Sequence, residues 1–149
     1  MKMTLIEMVQ DKEKVPKSTK WARANKDKVR AQDEKRKGTL DGKLINLASQ
    51  TKYRAKCKGW EHNITTSYLR GLYYGQEGLC ALSGMKMTIR GALRTHENWM
   101  SISADRIDSE GGYTQGNVQL VCTGVNKIKG SMTDEEFIKF CSKVVEHNS

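Results

Sequence analysis

The chain has no run of about 18 apolar residues, which excludes a membrane-spanning helix of ordinary length. Its opening, Met1 to Gln10, is too short and too soon followed by charge for a secretory signal, so the sequence predicts an unexported, cytoplasmic protein. Cysteine is sparse. Cys57, Cys80, Cys122 and Cys141 are widely spaced, and in a reducing compartment they read as buried thiols or metal ligands rather than disulfides. Aromatic residues make up only 7%, and Trp21, Tyr53 and Trp60 are the few in a basic setting, which lends little support to a base-stacking RNA surface. Internal repeats are absent, and 149 residues leave room for one compact domain with an appendage.

Positive charge is what the chain has in excess, and it is unevenly placed. Residues 1–60 hold 17 Lys and Arg against 7 Asp and Glu, whereas residues 61–149 hold 9 against 10. A basic arm over residues 1–38, containing the single proline Pro16, is therefore expected beside a nearly neutral folded domain over residues 39–149. Nucleic acid is the natural partner for such an arm, with Arg23, Lys26, Arg30, Lys35, Arg36 and Lys37 as candidate phosphate contacts. The plain alternative is a solvated charged helix.

Leu40, Leu44, Ile45 and Leu47 have helical spacing, and the stretch runs through Lys52, Arg54, Lys56 and Lys58 to a stop at Gly59. Thr65, Thr66 and Ser67 can cap a second helix carrying Tyr68, Leu69, Leu72 and Tyr73 and ending near Gly75 to Gly78. Residues 99–107 alternate as a strand, residues 108–116 form a turn-rich loop, and residues 117–122 form a second strand leading into a helix over 123–129. Thr133-Asp134-Glu135-Glu136 is a capping box for a last helix to Glu146, with Phe137, Ile138, Phe140, Cys141, Val144 and Val145 expected on its buried side.

The chemistry-bearing segment opens with Ser101-Ile102-Ser103-Ala104-Asp105-Arg106-Ile107-Asp108, where a strand delivers acids and a guanidinium to the mouth of a glycine-rich loop. Gly111-Gly112-Tyr113-Thr114, Asn117-Val118-Gln119-Leu120-Val121-Cys122, Asn126, Lys129 and Gly130 follow. In order and spacing this segment resembles the HNH family of nucleases, in particular the small basic kind common in bacteriophages. Gly78-Leu79-Cys80-Ala81-Leu82-Ser83-Gly84 is similar to that family's first Cys-x-x-Cys turn, which extends the likeness to about a third of the chain. Each residue taken singly also has an ordinary reading as a turn acid, a hairpin glycine or a cap.

The resemblance implies an α+β protein with a ββα-metal core, flanking helices and a basic N-terminal helical arm. It further implies metal-dependent hydrolysis of DNA phosphodiester bonds, in the host cytoplasm if the protein is phage-encoded. Asp105 and Asn126 would be the metal ligands, and an oxygen pair favours magnesium or manganese over zinc. Asn117 would hold the loop and orient the base, and Lys127 and Lys129 lie where they could meet a phosphate. The chain departs from the family at Arg106, which stands where the family has its catalytic histidine; a guanidinium can clamp a phosphate but is a very poor proton acceptor. Three readings stay open: His96 or His62 supplies the base, hydroxide attacks unaided, or the site only binds nucleic acid. The family's zinc-knuckle positions read Cys80, Ser83, Cys122 and Val125, so no structural zinc is expected and the two thiols should pack as neighbours.

Overall fold

A computed structural model describes residues 25–89 and 99–149. The chain divides into two units, residues 1–35 and residues 36–149. Helix α1, Lys26–Lys37, carries most of the described part of the first unit, and Lys26, Lys28, Arg30 and Lys35 on it are exposed. Arg23, Pro16 and the side chain of Lys37 lie outside the described residues, as does His96.

The second unit begins with α2, Leu40–Lys58, whose limits are set by local chemistry. Thr39 accepts from the Gly42 N–H at 3.1 Å as N-cap, and Gly59, at φ 69°, takes the left-handed conformation that ends the helix. Leu44, Leu47, Thr51 and Ala55 form its buried side. Helix α3, Thr66–Gly75, is capped by Thr65 and tied to α2 by an Arg70–Asp41 ion pair of 2.8 Å.

Strands β1, Ile102–Arg106, and β2, Val118–Cys122, form an antiparallel pair in which Ile102 faces Cys122 and Asp105 faces Gln119. β1 is shorter than the alternation predicts. Trp99 and Met100 sit in a turn, because the Trp99 carbonyl accepts from Gly124 and the Trp99 ring lies where a side chain at 124 would go. The outer edge of β2 is closed by a side chain: Gln76 donates to the Leu120 carbonyl at 2.8 Å and accepts from the Leu120 N–H at 3.1 Å, completing the backbone pairing that a third strand would otherwise supply.

Helix α4, Thr123–Lys129, follows β2 directly and packs on the strand pair. Ile102, Ala104, Leu120, Val121 and Cys122 join Leu44, Leu69 and Met87 in one core. Helix α5, Asp134–Asn148, opens with the expected capping box at Thr133 and Glu136. Its buried side is narrower than its apolar pattern suggests. Phe137 is buried and Cys141 partly so, while Ile138, Phe140, Val144 and Val145 are exposed, because beyond its first turns the helix has little of the domain to lie against.

Candidate active site

Alternation along β1 puts Ser103 and Asp105 on one face, and helical spacing puts Asn126 and Lys129 on one side of α4. The two sets meet. Asn126 donates through Nδ2 to Ser103 Oγ at 2.7 Å and to the Ala104 carbonyl at 3.1 Å, which leaves its Oδ1 pointing away from those bonds. Lys129 Nζ lies 3.0 Å from Asp105 Oδ2, 3.3 Å from Asp134 Oδ1 and 3.0 Å from the Arg106 carbonyl it donates to. Gln119, the cross-strand partner of Asp105, donates to Asp105 Oδ2 at 3.0 Å and to Asp134 at 3.1 Å.

Asp105 is thus held from one side only. Its Oδ2 has two donors, whereas neither its Oδ1 nor Asn126 Oδ1 has a partner among the described residues. Both residues line a cavity of about 80 Å³ with almost wholly polar walls, shared with Arg54, Arg106, Ser109, Tyr113 and Gly130. Sequence reasoning brought Asp105 and Asn126 to one site but not Arg54, Gln119 or Asp134. Arg54 comes from a distant segment, and nothing in the local spacing marked it, Gln119 or Asp134 for the site.

Arg106 is largely committed to structure. Its guanidinium carbon stands 3.6 Å from the centroid of the Trp60 ring, and one nitrogen donates to the Ser109 and Gly111 carbonyls at 2.7 and 2.8 Å. Asn117 closes the same loop, accepting from the Asp108 N–H and donating to the Asp108 and Gly112 carbonyls. It does so by shaping backbone, and the loop it shapes carries Ser109 and Tyr113 into the cavity wall.

The expectation that Lys129 meets a phosphate needs correction. Its side chain has no exposed surface and three acceptors, so it is a buried counter-ion to Asp105 and Asp134. Lys127, by contrast, is exposed. His62 lies beside Tyr113 and against α2, and is not among the residues that line the cavity. Thr51 Oγ1 donates to the Ala48 carbonyl at 3.0 Å and shares a hydrogen bond of 3.2 Å with His62 Nε2. A larger groove of about 490 Å³ runs past His62 and Lys52, but it includes none of the Asp105 cluster.

The thiols behave as a second, separate pair. Cys80 and Cys122 are both buried, and the Cys122 N–H donates to Cys80 Sγ at 3.3 Å. Burial and the neighbouring Cys80 push the Cys122 thiol up to about 11. Burial also pushes Cys80 up, but hydrogen bonds from Ser83 and from the backbone of Cys122, Ser83 and Leu82 outweigh it, and its net shift is downward. With Ser83 beside them and an aliphatic Val125 at the fourth position, this donor set does not fit a structural zinc.

No protein-family model matches the chain, and no curated protein matches it. A solved structure of the rare-cutting HNH restriction endonuclease PacI, which exhibits an extraordinary mechanism of DNA perturbation, matches with a TM-score of 0.51 and 19% identity. The match covers 70% of this chain and 78% of that one. At that identity the likeness is one of fold: the domain has an HNH-type α+β fold, a small two-stranded sheet among helices. None of the helices among the described residues is long and apolar enough to cross a membrane.

Proposed function

We propose that this protein is a metal-dependent endonuclease that hydrolyses DNA phosphodiester bonds. The observation that carries the reading is the pair of unpartnered oxygens, Asp105 Oδ1 and Asn126 Oδ1, bordering one small polar cavity on an HNH-type fold. Two hard oxygens suit magnesium or manganese, ions that keep several waters and take substrate phosphate oxygens as further ligands. When bound, such an ion supplies charge neutralisation at the scissile phosphate and stabilisation of the leaving oxygen.

The chain's own residues do the rest. Lys129 and Gln119 hold Asp105 Oδ2, so the carboxylate presents its other oxygen without rotating. Asn126 is oriented in the same way by Ser103 and the Ala104 carbonyl. Around them Lys129, Arg106 and Arg54 carry three positive charges against the two of Asp105 and Asp134. A cation therefore binds weakly to the free protein and more tightly once a phosphate lies in the cavity. No histidine among the described residues lines the cavity, His96 lies outside them, and a guanidinium is a very poor proton acceptor, so the base is either His96 or hydroxide from solvent. The exposed Lys26, Arg30, Lys35, Arg36 and Lys127 add affinity of the salt-sensitive, sequence-independent kind.

The test is cleavage of supercoiled plasmid with magnesium, with manganese and with chelator, beside an Asp105→Asn variant, across pH 6 to 10. Metal-dependent nicking that the variant lacks and that accelerates with pH supports the reading. The lack of a histidine at the cavity among the described residues favours one other reading, a nucleic-acid-binding module on the same fold. DNA binding without cleavage by the intact protein, on plasmid and on single strands, establishes that instead.

A further inference from the structure

We infer that the outward face of α2 is the strand-contacting surface of this protein and that Arg54 holds the scissile phosphate; this rests on the nuclease reading above.

The cavity beside Asp105 and Asn126 needs a cation free to meet an incoming phosphate, and among the described residues one is left. Lys129 is sealed from solvent and fully engaged by two carboxylates and a carbonyl. Arg106 sits over the Trp60 ring, with one nitrogen fixed to two loop carbonyls. Arg54 lines the same cavity, is exposed, and makes no hydrogen bond or ion pair with any described residue. Its planar fork of donors matches two oxygens of one phosphate, which a lysine cannot reproduce.

The position of Arg54 on its helix extends the contact. Gln50 and Lys58 stand four residues to either side, on the same row of α2, and both are exposed. A polyanionic strand that sets one phosphate on Arg54 is thereby led along Gln50 and Lys58. Lys52 also projects from α2 but borders the other groove, with His62 and Asn63, and so serves as a control of equal charge on the wrong face.

The experiment compares wild type with Arg54→Gln, Arg54→Lys, Lys52→Gln and Asp105→Asn. It reads single-turnover cleavage at saturating DNA with magnesium, and binding of a labelled DNA oligonucleotide with chelator as a function of salt. Arg54→Gln is expected to cut about 100-fold more slowly, as for loss of one donor to the reacting phosphate, with Arg54→Lys only partly restored. The slope of log affinity against log salt should fall by about 1 in Arg54→Gln and change much less in Lys52→Gln. Thermal midpoints should be equal, since Arg54 holds nothing in place. If Arg54→Gln cuts like wild type while Asp105→Asn is dead, the inference fails and the nuclease reading stands. If wild type does not cut at all, that reading fails, and the salt slopes alone decide: equal slopes for Arg54→Gln and wild type overturn the role of α2.

Discussion

Lys129 and Asp105 form an ion pair of 3.0 Å in which the lysine side chain has no exposed surface and the aspartate side chain is only 4% exposed. The lysine charge so placed survives because its three protons are matched: Asp105, Asp134 and the Arg106 carbonyl complete the set, while Gln119 gives Asp105 Oδ2 a second donor. The same arrangement turns Asp105 so that one oxygen is fixed and the other is offered to the cavity.

Replacing Lys129 with Met leaves the buried Asp105 and the partly exposed Asp134 without their counter-ion. Breaking a buried pair from one side should cost about 3–5 kcal/mol, read as a lower urea midpoint. The double variant with Asp105→Asn should recover part of that loss. A single variant as stable as wild type would show that Asp105 is not held by this lysine.

Arg106 is expected to matter through shape as much as charge. Arg106→Lys keeps the positive charge but loses the guanidinium contact over Trp60 and the bonds to Ser109 and Gly111, so a loss of about 2 kcal/mol is expected. Thermal unfolding followed by tryptophan fluorescence reads both the midpoint and the altered setting of Trp60. An unchanged midpoint would return Arg106 to the role of a free phosphate clamp.

Two glycines should respond with opposite signs. At Gly112 an added methyl group meets the Glu61 backbone, just where residues 61–63 bond to Tyr113, and Gly112→Ala should cost about 1–3 kcal/mol. At Gly71, within α3, a methyl group meets nothing, and Gly71→Ala should add up to about 1 kcal/mol. Denaturant titration of the two variants side by side checks the contrast.

The Cys122 thiol contributes a pH effect of definite sign, opposite to that of Cys80, whose shift is downward. Cys122 holds its proton up to about 11 in the folded protein against 9.0 in the unfolded chain. The folded state therefore binds more protons between those values, and stability falls as pH rises from about 9 to about 11. Unfolding free energy measured over pH 8 to 11 should decline less steeply in Cys122→Ala. Parallel curves would mean that the thiol titrates alike in both states.

Local signals account for what the sequence determined by itself. Thr39 with Gly59, Thr65, and Thr133 with Glu136 mark helix ends through contacts three or four residues long, so those boundaries are legible without the fold. The order Asp105, Gly111-Gly112, Asn117, Asn126 suggested one site only through its resemblance to the HNH family, since each residue singly also reads as a turn acid, a hairpin glycine or a cap. Tertiary structure decided the rest. It placed Arg54 from α2 at the cavity, made Lys129 a buried counter-ion rather than a surface contact, set Gln76 against the edge of β2, and left most of the apolar side of α5 uncovered. Each of those outcomes depends on a group far away in the chain. Residue type states what a side chain is able to do, and only its neighbours in space decide which of those things it does.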